Sequence, residues 1–259
     1  LVALVAVLFQ GLLGGLRVVL DKHGLGAEFG VLHAALAQLF FVVICALAWL
    51  TSGWWATLTE PSEQQGSWLR YFYLAVTVLI FGQLMLGAAM RHQHAGLAIP
   101  DFPLAYGKVW PAMDEASVAA YNSQRVETVA YNSITSFQIG LQMAHRLVAG
   151  LILVAVVFAF ALTRLHLPAN SSVKKLSTVW LGLISLQVLL GAATVWTNKS
   201  VIVATGHVAV GALSLMIGSM LAMVSFRLVS PVRALGRVSE GGTCLTRGST
   251  SAVAATTSE

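Results

Sequence analysis

"LFQGLLGGLRVV" (residues 8–19) and "SLQVLLGAATVW" (residues 185–196) decide how this chain is organised. They coincide at Gln10/Gln187, Leu12/Leu189, Leu13/Leu190, Gly14/Gly191 and Val18/Val195. Each is followed by a short polar turn and a second apolar run. Each of those runs carries one histidine near its start, His33 in the first and His207 in the second. The pattern reads as one helical hairpin present twice. Gln83-Leu-Met-Leu-Gly87 is a weaker third echo.

The apolar character extends outward from these hairpins to almost the whole chain. Hydrophobic residues make up 57% and charged residues 10%, and the mean hydropathy is +0.80. Soluble domains carry about 25% charged residues, so the chain reads as an all-α, multi-pass integral membrane protein with lipid as its surroundings. A membrane span needs about 20 mostly apolar residues. Six such runs occur, at 2–20, 29–50, 70–90, 135–163, 176–196 and 201–229. Residues 51–69 form a short polar link around Thr59-Glu60-Pro61-Ser62-Glu63. The loop at 91–134 is the only long one, and its length implies a task. Residues 230–259 end in "SEGGTCLTRGSTSAVAATTSE" and read as a disordered tail.

Basic residues near the span ends set the orientation. One side collects Arg70, Arg164, Lys174, Lys175, Arg227, Arg233, Arg237 and Arg247; the other collects Arg17, Lys22, Arg91, Lys108, Arg125 and Lys199. The bias places the 51–69 link and the C-terminal tail in the cytoplasm and the 91–134 loop outside. The net charge of +5 is spread along the chain, which reports topology and not nucleic-acid binding. Cys45 lies in an apolar run and Cys244 in the tail, so no disulfide is expected between them. No CxxC or CxxCH occurs, which argues against a zinc ribbon or covalent haem.

The two hairpins begin four spans apart, an even number, so they point the same way across the membrane, as a parallel repeat. The second unit is then the four spans in 70–229. The first unit should have two spans ahead of residue 1, which is Leu and not Met. The expected whole is an eight-helix bundle of two parallel four-helix repeats, six of whose helices are visible here. Residues 1–50 form the second hairpin of the N-terminal half.

His33, His145 and His207 lie inside spans, at similar depth. Ionisable residues there are rare and default to a functional reading, against the plainer alternative of a neutral imidazole bonded to a neighbouring helix. A zinc site wants three or four protein ligands, and no Cys, Asp or Glu within a span is near enough to complete one. Haem needs only two axial ligands and an apolar slot between helices. His145 and His207 therefore read as ligands of a non-covalent haem b in the C-terminal half. Arg146, within "QMAHRLVAG" (142–150), either pairs with a haem propionate or reaches for the interface. Gly140, Gly206 and Gly211 would permit close approach of helices or of the flat macrocycle. His33 would belong to a second, half-built site. His23, His92, His94 and His166 read as solvated loop residues. The outer loop with Asp101, between Pro100 and Phe102-Pro103, either caps the haem edge or guides a partner, or is a turn whose Asp caps local backbone, the reading preferred here. None of the ten acids lies well inside a span, which counts against a proton- or cation-coupled transporter.

Three motifs resemble the heme A synthase family: "LGAAMRHQHAGLAIPDFPLAYG" (86–107), "QMAHRLVAG" (142–150) and "QVLLGAATVW…GHVAVGAL" (187–213). The similarity covers roughly residues 1–229. It implies an eight-helix bundle whose C-terminal half holds haem b on His145 and His207 as an electron relay. It implies an N-terminal half that binds heme O and oxidises a ring methyl to the formyl of heme A. His33 matches one histidine of that catalytic half. The family's Glu-x-x-His segment has no counterpart there, and in the second half it reads Gln142-Met-Ala-His145. A bacterial plasma membrane, heme O received from a heme O synthase and heme A delivered to terminal oxidase assembly follow from the resemblance alone. Homo-oligomerisation stays open. The competing classes are a membrane b-type cytochrome that only passes electrons, an inactive fragment of the enzyme, and a channel or transporter that uses its histidines without haem.

Overall fold

The computed structural model describes residues 2–21, 26–58, 68–124, 133–168 and 171–228. Its elements are α1 (Val2–Asp21), α2 (Gly26–Leu50), α3 (Gly53–Thr57), α4 (Leu69–His92), a 3-10 turn (Ala95–Leu97), α5 (Glu115–Ser123), α6 (Ser136–His166), α7 (Ser172–Trp196) and α8 (Val201–Leu228). Among the described residues there is no strand beyond one isolated bridge, Ala105 to Lys108. Six helices are long and apolar enough to cross a membrane, and they are the six expected spans. The chain is an all-α, multi-pass integral membrane protein. The link at 59–67, His23, Arg125 and the tail lie outside the described residues.

The helices outrun the apolar stretches at their ends. α2 begins at Gly26 instead of 29, α6 ends at His166 instead of 163, and α7 begins at Ser172 instead of 176. The added turns carry Glu28, Arg164, Lys174 and Lys175. A helix ends where its backbone hydrogen bonds are capped, not where hydropathy falls. Ser171 caps α7 by accepting from the Val173 amide. Thr135 and Gln138 form a reciprocal capping box at the start of α6. Two short helices, α3 in the link and α5 in the long loop, carry no span-length signal.

α4, α6, α7 and α8 pack in that order as a closed ring, in which α6 and α8 are not neighbours but face each other diagonally. α2 leans on α4 and α8, and α1 packs on α2. α1 buries Leu13 while Leu4, Val5, Leu8, Phe9, Leu12 and Val18 stay exposed, as suits a helix bathed in lipid.

The ring's interior is uneven along its axis. Toward the link, Tyr73, Val156, Trp180, Leu221 and Val224 are fully buried in one core. The Trp180 indole donates to the Ser214 carbonyl at 2.9 Å, and Tyr73 Oη pairs with Thr163 Oγ1. A Cβ on Gly218 would stand 2.7 Å from Thr77 Oγ1 and 2.9 Å from Trp180 Cζ2. Toward the other end, Gln83, His145, Gln187 and His207 are only half-buried.

The long loop is folded. Ala98, Ile99, Ala105, Ile134, Ile139 and Met143 form a second small core. Gln142, 2% exposed, clamps the loop to α6: its carbonyl accepts from the Ile99 amide at 2.7 Å, and its amide donates to the Gly96 and Ile99 carbonyls at 3.3 Å each. Asp101 closes its own turn by accepting from the Tyr106 and Gly107 amides at 2.7 and 2.8 Å. Tyr106 and Tyr121 stack at 3.6 Å, and Asn122 brackets Ile134 through its amide and carbonyl. Asp114 caps α5, and its hydrogen bonds from the Ser117 hydroxyl and amide hold its carboxyl below the usual range.

Two predictions follow from this packing. Gly218→Ala overfills the Thr77–Trp180 contact at about 1–3 kcal/mol, against a helix-propensity gain of at most about 1 kcal/mol. Unfolding in mixed detergent micelles should show a net loss of stability, while Gly182→Ala, where a Cβ meets nothing within 4 Å, should show none. Gln142→Leu strands the Ile99 amide and two carbonyls at about 1–3 kcal/mol for each buried group left unpaired. Hydrogen exchange at Ile99 should accelerate while exchange in the α7–α8 core stays unchanged.

Candidate functional site

Each in-span histidine is seated by a glutamine and a glycine four residues apart on a neighbouring helix. For His207 on α8, the seat is on α7: the Gln187 amide nitrogen lies 3.3 Å from His207 Nε2, and a Cβ on Gly191 would stand 3.2 Å from its Cε1. For His33 on α2, the seat is on α1. The Gln10 amide donates to the His33 carbonyl at 2.9 Å and lies 3.5 Å from its Nε2, and a Cβ on Gly14 would stand 3.2 Å from Cε1. For His145 on α6, the seat is on α4. The Gln83 amide donates to the His145 carbonyl at 2.8 Å, and a Cβ on Gly87 would stand 3.4 Å from Cε1.

The reason is steric and polar at once. Glutamine satisfies a group that would otherwise be stranded in an apolar medium. Glycine one turn along the same face removes the side chain that would keep the imidazole away. The Gln10/Gln187 and Gly14/Gly191 matches of the repeat are therefore contacts, and the third echo, Gln83 to Gly87, is a third seat. Sequence reading singled out the histidines and missed the glutamines as their partners. The signal available was the recurrence of Gln-x-x-x-Gly on the helix beside each of them.

His145 and His207 stand on diagonal helices of the ring. The Nδ1 atoms of His33, His145 and His207 are buried without a hydrogen-bond partner, as are Oε1 of Gln10, Gln83 and Gln187. Among the described residues no group of three or more His, Cys, Asp or Glu side chains could hold a metal ion. Two half-buried imidazoles from diagonal helices, with no third ligand among the described residues, suit a flat group that brings its own equatorial donors.

Arg146 is already engaged. Its guanidinium donates to the Leu104 and Asp101 carbonyls at 2.9 and 2.7 Å and stands 5.5 Å over the Phe102 ring. It therefore ties α6 to the loop, one residue from His145. Gly211 accommodates side chains, since a Cβ there would stand 2.9 Å from Leu84 Cδ2 and 3.1 Å from Gln187 Nε2. Gly206 borders open space, and Gly140 approaches only Met113, at 3.9 Å.

Two histidines expected in loops are helical. His92 closes α4, half-buried, with its ring packed so tightly on Gly30 of α2 that a Cβ there would overlap it. His166 closes α6 and is exposed, with Nδ1 2.9 Å from the Leu162 carbonyl. Both were misplaced because helices extend past their apolar runs. His94 lies in the loop in the left-handed conformation. Cys45 is a free thiol.

Residues 1–218 match the family model described as cytochrome oxidase assembly protein. Three curated relatives carry the name heme A synthase. That of Alkalihalophilus pseudofirmus is 30% identical over 49% of this chain and 41% of its own length. That of Bacillus cereus is 29% identical over 54% and 38%, and that of Methylobacterium nodulans 29% identical over 71% and 48%. The matched segments thus span less than half of each relative. With the family match across most of the chain, three seated histidines and six membrane-length helices, the protein belongs to the heme A synthase family of cytochrome oxidase assembly proteins.

Proposed function

We propose that the chain acts as a heme A synthase-like oxidoreductase, in which His145 and His207 bind a haem b and His33 contributes to the site of heme O. The observation that carries the reading is the pair of half-buried, seated imidazoles on diagonal helices of the ring. Bound there, haem would supply reversible one-electron chemistry, with a potential set by its two nitrogen ligands and its burial.

The remaining work is the chain's own. The seats on α4 and α7 fix how the two rings face each other. The Trp180 and Tyr73 core closes the interior on one side, and the 95–107 loop, tied down by Gln142 and Arg146, closes it on the other. Water exclusion raises the worth of each fixed dipole and suppresses side reactions. Gln142 can hold three backbone groups because an amide donates and accepts at once; an ionised Glu there could only accept. In this half, then, the residue three before the histidine serves the loop. Arg146 keeps its loop contacts in this reading and acts on a propionate only through donors that those contacts leave unused.

On the proposed reaction, the heme O methyl takes its oxygen from water and loses four protons and four electrons in becoming a formyl group, and a haem b in the C-terminal half would pass those electrons singly to an external oxidant. The protein would receive heme O from its synthase and pass heme A to terminal oxidase assembly. It would lie in a bacterial plasma membrane with its C-terminus in the cytoplasm and the 91–134 loop outside, as the basic residues favour. A second reading is a b-type cytochrome that only transfers electrons, which needs only the two seated histidines of the ring α4–α6–α7–α8.

His145→Ala and His207→Ala should each abolish the low-spin haem signal in reduced-minus-oxidised spectra, while His33→Ala leaves it in place. An unchanged signal in both ligand variants would contradict the assignment. Chromatography of haems extracted from a host that makes heme O should reveal heme A with the wild-type chain and not with His33→Ala. Heme O alone with the wild type, in a chain that retains its haem b, would favour the cytochrome.

A further inference from the structure

The glutamine seats do more than fill space. Resting on the reading of His207 as an iron ligand, we infer that Gln187 is a positioning residue that keeps His207 in the one neutral tautomer able to bind iron through Nε2, and that Gln10 does the same for His33. A neutral imidazole has one N–H and one lone pair, on different nitrogens. Which nitrogen keeps the proton is set by the groups that each one meets.

The group meeting His207 Nε2 is an amide nitrogen, Nε2 of Gln187, at 3.3 Å. An amide nitrogen only donates, so the ring nitrogen facing it must accept. The proton is thereby assigned to Nδ1, which lies beside Gly191 in a buried place without a hydrogen-bond partner. Nothing at Nδ1 competes for the choice.

The amide is itself held. It packs into the space left by Gly211, one turn beyond His207 on α8. A residue with a Cβ at 211 would press on the amide at 3.1 Å. Gln187 thus spans from α7 to two turns of α8, with the ring on one side and the glycine on the other. The same donor faces His33 Nε2 from Gln10, at 3.5 Å, while also bonding the His33 carbonyl. Gln83 bonds only the His145 carbonyl, so it fixes the turn of helix and leaves the ring's tautomer to other neighbours. The amide keeps on Nε2 the lone pair that an iron would take.

The test is ring-nitrogen NMR of the full 259-residue chain, labelled with 15N-histidine and made in a host that cannot synthesise haem. Loss of the signal in His207→Asn assigns it. Wild type should show a lone pair on Nε2 and a proton on Nδ1. Gln187→Leu should lose that preference, and Gln187→Glu should put a proton on Nε2, because a carboxylate accepts where the amide donated. An identical protonation pattern in the wild type and the Glu variant, with helicity unchanged by circular dichroism, would overturn the proposal. If the Leu variant fails to fold, the reversal in the Glu variant decides alone. Because the measurement is made without haem, it is separate from the iron reading, whose failure would show as a wild-type chain that takes up no haem.

Discussion

An imidazole inside a bilayer must find a partner on another helix, because water is not there to serve it. That constraint shapes this molecule. For His33 and His207 a glutamine amide meets the ring, for His145 a glutamine bonds the backbone carbonyl, and three times a glycine one turn away lets the ring come close. The contact fixes which helices pair: α1 with α2, α4 with α6, α7 with α8. Once those pairs form, the ring of four closes and leaves the two C-terminal histidines on opposite corners.

The rest of the bundle divides its labour around that arrangement. Apolar packing without gaps is concentrated at one end, where Tyr73, Trp180 and Leu221 lock the helices. The histidine end is less deeply buried. There the loop is tied to α6 through polar contacts of Gln142, Arg146 and Gln138 to loop carbonyls. Dense packing and the half-buried histidines are thus separated along the helix axis.

The membrane helices were legible in the sequence because their signal, about twenty apolar residues in a row, is additive and local. So were the repeat and the three histidines. The helix ends were not. Hydropathy reports where apolar residues stop, whereas caps such as Thr135 and Ser171 decide where helices stop, and His92 and His166 were misplaced for that reason. Asp101 was read correctly as a cap, since its bonds are within a few residues. Arg146 was read as either a propionate partner or a side chain reaching for the interface. Its actual partners are carbonyls more than forty positions away in the chain, a distance at which a single sequence carries no signal. The glutamines were visible as matches but not as contacts, because pairing between helices cannot be read from one strand of letters. The catalytic assignment of His33 still rests on the family resemblance and its local seat.

The central claim is that one haem iron is shared by His145 and His207. Near-infrared magnetic circular dichroism of the oxidised, purified chain tests it most directly, since its charge-transfer band reports the identity of both axial ligands. The account predicts the band of a low-spin iron between two neutral imidazoles. A band for any other ligand pair, or a high-spin iron with one histidine, would contradict it.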